Sequence, residues 1–459
     1  MRPNTQSWYF QFSVLAVAAL LAVSLVAAYP QVIELMSGRR SPGTAAGFGL
    51  RWLREAVWLV ICSTLLAWTL IGPPRFGLFW KGTAVVTAAV IAFTAFVFGR
   101  TVAAGVPPEA AMAGLRTFQY VPFAFLAFHI ARHRPVWLFT SIARILKALL
   151  VVWTPIALYQ VLIAPPVQGR TMFGSRAFAT FNEANVFGVA VATSALWLVL
   201  TILLQGRSVR RATLRTTPWL VLCLLLALLT GSRTALALTV ITIVMLCIMM
   251  IRHRILRYVA ASLVPVLLLI ALIVGSLPAI SGRRTDLLRD GRLAKWSEIF
   301  EAGLQTPVDL LFGWGLGLGS NTVNTLFGYN HFEGQFIADS HFVFVVSSFG
   351  LVGVVIFLTL LAMTLTSAPR RSAAVFVVYV MLVSIPFLPF ELFPSNVLIM
   401  LAWGGLLGVT RGHVVDLSEQ GPTLGDTRSV ETLPTADHQF PQVTHRSASQ
   451  VASRDSPTR

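Results

Sequence analysis

Long apolar runs alternate with short polar joints through most of the chain. Apolar stretches of about 17–25 residues have the length of a bilayer-crossing helix. They fall at 8–29, 52–71, 80–99, 117–130, 142–164, 185–204, 218–230, 234–251, 258–277, 341–366, 373–390 and 395–411, two of them (117–130 and 218–230) short. In lipid each backbone polar group needs a partner within the spanning structure, so the runs are helices, and they are too long for barrel strands. The pattern therefore predicts an all-α polytopic integral membrane protein of about twelve transmembrane helices. One joint breaks the rhythm: residues 278–340 form a long polar and glycine-rich loop, expected on the outward side. Residues 1–411 read as one transmembrane domain. Residues 412–459, rich in Ser, Thr, Pro and Gln with few large apolar side chains, cannot build a core and read as a disordered cytoplasmic tail.

Composition supports this reading. Mean hydropathy is +0.75 and 12% of residues are charged, about half the share of a soluble domain. The net charge of +17 is mostly explained by orientation. With the N-terminus inside, Arg132, Arg134, Arg207, Arg210, Arg211, Arg215, Arg252, Arg254, Arg370 and Arg371 fall in inward loops, as the cytoplasmic bias of Lys and Arg requires. Acidic residues up to Arg411, among them Glu183, Asp309, Asp339 and Glu391, fall outward. Arg39, Arg40, Arg51 and Arg54 run against the bias. Basic loops facing anionic headgroups account for the charge, and with no nucleic-acid motif present, nucleic acid is not an expected partner. Cys62, Cys223 and Cys247 lie inside apolar runs and read as packing residues. The first run ends in S-L-V-A-A-Y-P but is long for a signal peptide, so it reads as an uncleaved span.

Candidate chemistry gathers on the outward side. Arg170, Arg176 and Asn185 flank the start of a span; guanidinium forks there would suit a phosphate, though on spacing alone capping by Thr180 or Asn182 and snorkelling are the simpler account. Arg233 follows the tight L-T-G-S turn between two spans, where it either binds an anion or snorkels. In the long loop, Arg283–Lys295 carries several cations of alternating sign with acids, a pattern also common on a solvated helix face. His341 follows Asp339 at the start of a span; it could accept a proton near neutral pH or simply begin a helix. The outward loops hold no Asp-x-Asp, no His-x-x-x-His and no close carboxylate pair, so no metal site is expected. No acidic residue sits in mid-span and no P-loop is present, which leaves no evident proton-coupling or nucleotide site.

The order F-N-E-A-N, L-T-G-S-R, G-R-L-A-K-W, F-G-W-G-L-G, then S-H-F followed by F-G-L-V-G resembles the O-antigen ligase and polysaccharide polymerase family of bacterial envelope glycosyltransferases, over roughly residues 165–360. The family's asparagine-rich motif is F-N-E-A-N here, and Phe342 follows His341 where the family commonly has Asn. The resemblance implies a GT-C type enzyme of the bacterial inner membrane with its active face periplasmic. It would transfer a glycan from an undecaprenyl diphosphate carrier to a hydroxyl of a glycan or lipid A core acceptor, without cofactor or metal, a chain-length regulator being a further partner. By matching motif, Arg176, Arg233 and Arg292, with Asn185, would bind the donor diphosphate, and His341 would be the catalytic base. A transporter or flippase of lipid-linked saccharide is the competing reading; it predicts polar residues lining a path through the bilayer.

Overall fold

The computed structural model describes residues 92–164, 170–171, 174–181, 183–205, 209–251, 292–303, 305–316, 340–390, 392 and 394–409. The expected spans 8–29, 52–71 and 258–277, the start of the run 80–99, and the tail 412–459 lie outside these residues. The described elements are α1 (Ala92–Ala103), α2 (Pro108–Gly114), α3 (Val121–His133), α4 (Pro135–Leu162), α5 (Ala184–Leu204), α6 (Val209–Leu229), α7 (Arg233–Met250), α8 (Arg292–Gly303), α9 (Pro307–Phe312), α10 (His341–Ser367), α11 (Arg370–Ser384) and α12 (Ser395–Gly408). The all-α expectation holds with one small departure, a two-residue ladder pairing Arg170–Thr171 with Gly174–Ser175. By length and composition, five described helices can cross a membrane: Pro135–Leu162, Ala184–Leu204, Ala212–Leu229, Arg233–Met250 and His341–Ser367.

Helix α5 is the hub. It is apolar all round and buried almost throughout, as a helix surrounded by others must be. Helix α4 packs antiparallel to it, Trp153 meeting Phe187 and Phe139 meeting Trp197. Helix α12 runs parallel to it: Trp197 Nε1 donates to the Leu398 carbonyl (3.0 Å), and Gly405 packs on Phe139, whose carbonyl accepts from Thr201. Gly404 and Gly408 let α12 lie directly on the Ala124 and Phe128 carbonyls of α3. Added Cβ atoms there would come within 1.8 and 2.4 Å of those oxygens, so these glycines set the interhelix distance.

Two boundaries differ from the apolar pattern for a stated reason. Helix α6 begins at Val209, nine residues before the apolar run, because Pro218 sits inside it and does not end it. Helix α4 begins at Pro135, a favourable first helical position, and carries Arg144 and Lys147 within its length.

The largest departure concerns α10. Gly350 has φ +63° and ψ −160°, outside helical geometry. Sixteen positions of straight helix would separate His341 from Phe357 by about 24 Å, yet their ring centroids lie 5.3 Å apart. The limb 341–349 therefore folds back along the limb 351–367. The apolar run 341–366, expected as one span, is a bent pair, and its longer limb is at the lower end of spanning length.

Candidate functional site

The loop between α4 and α5 is held in a defined shape. Buried Gln160 Oε1 accepts from the backbone N–H groups of Phe178 (2.9 Å) and Ala179 (2.7 Å), and its Nε2 donates to the Ala179 carbonyl (2.8 Å). Ala179 takes φ +44°, a left-handed conformation costing about 1–2 kcal/mol for a residue with a Cβ. The three bonds from one side chain hold it there.

This loop presents Arg176. Its Nε donates to the Thr230 carbonyl (2.8 Å) and its Nη2 to Asn185 Oδ1 (2.9 Å), while the Ala177 N–H donates to the Leu229 carbonyl (2.9 Å). The arginine thus joins the start of α5 to the end of α6. Thr230, Gly231 and Ser232 then build the turn into α7. Thr230 Oγ1 donates to the Ala227 carbonyl and accepts from the Ser232 N–H; Gly231 supplies φ +61°; Ser232 caps α7 by accepting from the Ala235 N–H. Arg233 is the first residue of α7 and is half-buried. Gly188 lets α5 approach this turn, since a Cβ there would stand 2.6 Å from that of Ala235. Arg176, Asn185 and Arg233 are brought to one place, the joined ends of three helices, where the N-terminus of α7 adds partial positive charge. The Arg170 side chain lies outside the described residues.

His341 sits in different surroundings. It begins α10, its N–H donates to the Phe387 carbonyl (2.9 Å), and neighbouring Ser340 Oγ donates to the Ser384 carbonyl (3.3 Å). The imidazole is 5% exposed and is walled by Phe390, Phe357 and Phe344 at centroid distances of 4.7, 5.3 and 6.0 Å. Its Nδ1 is buried without a hydrogen-bond partner, as are the hydroxyls of Ser384 and Ser395. Asp339, a candidate to orient the ring, lies outside the described residues.

Both places belong to one end of the bundle. Thr193 Oγ1 and Tyr379 Oη lie 2.8 Å apart across α5 and α11. From that level Asn185 is about 12 Å toward the T-G-S-R turn along α5. Helix α11 is antiparallel to α5, because Phe376, one turn before Tyr379, meets Trp403, which lies on the opposite side of that level, past Leu398. Ser384 is therefore about 7–8 Å from the same level in the same direction as Asn185.

The described part of the glycine-rich motif, 312–316, is packed in a defined shape. Gly313 (φ +76°) lies against the backbone of Ser348 and Phe349, and Gly350 against that of Leu311. Trp314 N–H donates to the Ser347 carbonyl (2.5 Å). Thus F-G-W-G-L (312–316) docks backbone to backbone on the F-G-L-V-G bend. Arg100 ties this unit to α1, pairing with the Asp309 carboxylate and donating to the Gly313 carbonyl. Asp309 also closes a capping box with Thr306, and Thr101 Oγ1 accepts from the Leu316 N–H (2.7 Å). Arg292 begins α8, which packs on the first limb of α10 through Trp296, Ile299 and Phe300; its side chain lies outside the described residues. Sequence reasoning missed Arg100, Thr101 and Gln160. Only T-P-V-D, a capping-box pattern, signalled part of this arrangement.

The helices and the polar cluster at one bundle end define a polytopic membrane protein with a candidate site at the end of its helices. Residues 218–358 match the family model described as O-antigen ligase, so the resemblance to the O-antigen ligase/polymerase family is shown over this segment. Arg233, Arg292 and His341 lie within it; Arg176 and Asn185 lie before it and are bonded to it through Thr230. No curated protein matches the chain.

Proposed function

We propose that this protein is an inner-membrane glycosyltransferase that moves a glycan from an undecaprenyl diphosphate carrier to an acceptor hydroxyl at the periplasmic face. The observation that carries the reading is the joining of Arg176, Asn185 and Arg233 at the ends of α5, α6 and α7, on a loop shaped by Gln160. Such a place suits a diphosphate, because preorganised cations and a helix N-terminus stabilise charge that grows as the leaving group departs. Arg292, the first residue of α8 within the long loop, joins them in this reading.

In the reaction the acceptor oxygen attacks C1 of the reducing-end sugar, with inversion. The C1–O bond to the diphosphate breaks, the electron pair leaves with the carrier diphosphate, and the acceptor proton passes to His341. The arginines provide the charge stabilisation that a metal would otherwise supply. Nδ1 of His341, buried and unpartnered, is the nitrogen assigned to the acceptor hydroxyl. A base must come within hydrogen-bond reach of its proton, so admission of the acceptor requires the wall around His341 to part. The acceptor is the end of another lipid-linked glycan, giving polymer, or a lipid A core, giving ligation.

The test is His341→Ala at normal protein level. Loss of long glycan supports the base assignment; a full product profile refutes it.

A further inference from the structure

We propose that a groove between α4 and α6 holds an anionic glycerophospholipid of the leaflet opposite the arginine cluster. Two internal prolines, Pro155 and Pro218, face each other across it, with Val151 and Leu158 on one wall and Trp219 and Leu222 on the other. The cavity is about 420 Å³, within the range of sites that hold small ligands. Its lining is almost entirely apolar, and Val151 and Leu158 are 56% and 42% exposed, so the groove opens sideways to lipid.

What covers it follows from the charges that continue its two walls. On α4 the lining positions 151, 154, 155 and 158 extend back, at helical spacing, to Lys147 and Arg144. On α6 the positions 218, 219 and 222 extend back to Arg215. Lys147 Nζ stands 5.5 Å from the Trp219 ring centroid, which ties the cations to the groove, and Arg144 and Arg215 are exposed. Neither α4 nor α6 contains an Asp or Glu, and the ion pair found among the described residues, Arg100–Asp309, lies elsewhere. Like charges one turn apart on a helix repel, so the cluster favours an anion.

Depth selects the kind of anion. Trp153 packs on Phe187 near the arginine-cluster end of α5. Lys147 and Arg144 lie about 9 and 14 Å further from that end, and Arg215 about 21 Å from Leu229. The cations therefore lie on the side of the groove away from the arginine cluster, toward the end at which Arg370 and Arg371 begin α11. A lipid with its phosphate on Arg144, Lys147 and Arg215 and one acyl chain between the prolines has the orientation of a phospholipid in that leaflet. It is the reverse of a donor whose diphosphate lies on Arg176 and Arg233.

The test is native mass spectrometry of the full chain after reconstitution with phosphatidylglycerol, phosphatidylcholine or undecaprenyl phosphate. Wild type is expected to retain phosphatidylglycerol over phosphatidylcholine. Arg144→Gln/Lys147→Gln should lose that preference about tenfold or more, Lys147→Arg should keep it, and Leu158→Trp should lower retention by filling the groove. Arg370→Gln serves as the surface-charge control and should change nothing. Equal retention of the two phospholipids, or a preference unchanged in the folded double variant, would overturn the proposal. Retention of undecaprenyl phosphate in place of phosphatidylglycerol would do the same and would assign the groove to the carrier's tail.

Discussion

The arginine cluster and the histidine pocket share one end of the bundle but differ in how their polar atoms are served. Arg176 is fixed by two hydrogen bonds on a loop that is itself fixed by Gln160. His341 has a ring held by aromatic packing, while its Nδ1 and the hydroxyl of Ser384, whose carbonyl accepts from Ser340, are orphaned. A buried polar atom without a partner costs about 1–3 kcal/mol; Thr180 and Trp153 bear that cost beside the arginine loop too, and His341 differs in carrying a group that can accept a proton. The contrast teaches that the first place is a cradle built before its anion arrives. The second is a polar atom kept in reserve.

Substitutions at the two places separate these roles. The largest effect is expected at His341: replacement by Phe should cost about 10²–10⁴-fold in glycan transfer if it is the base, while leaving melting temperature unchanged or raised, because an orphaned polar atom is removed. A variant that melts much lower, with transfer intact, would show a structural histidine. Next comes Gly350→Ala. The new Cβ would stand 2.4 Å from the Leu311 backbone at φ +63°, so loss of several kcal/mol and of folded protein is expected, measured by thermal unfolding in detergent.

Smaller effects separate charge from geometry in the arginine cluster. Arg176→Lys keeps charge but cannot serve Thr230 and Asn185 together, so transfer should fall about tenfold with little change in protein level. Asn185→Ala should reproduce part of that loss, and the double variant should be less than additive if the two residues act through one bond. The smallest expected change is at Ala179→Gly, which relieves the left-handed strain. It should raise stability by about 1 kcal/mol, unless Gly also loosens the loop that Gln160 shapes, in which case transfer falls while stability does not.

The fold was legible where apolar length decides it. The boundaries of α5 and α7 match the runs 185–204 and 234–251 within a residue, because polar residues bound both runs and Ser232 caps α7. It was less legible where a run is continuous but the backbone is not. Nothing in the hydropathy of 341–366 shows the fold-back; Gly350 alone carries it, and only its pairing with Gly313 explains why. Pro218 was read as a boundary, yet α6 continues through it. At the site, Arg176, Asn185 and Arg233 were legible from side-chain chemistry, whereas their union through the Thr230 carbonyl required the fold. Gln160 and Arg100 were not legible, since a single polar residue at a span end has no pattern around it.

The cradle and the histidine serve one transfer reaction in the proposed mechanism. Its most direct test is the size profile of surface and carrier-linked glycan in a deletion strain complemented with wild type, His341→Phe or Arg176→Lys. Wild type should restore long product, and both variants, present at normal level, should leave glycan on the carrier: single units if the enzyme polymerises, long chains if it ligates. A normal profile with His341→Phe would contradict this mechanism and return the protein to the transporter reading.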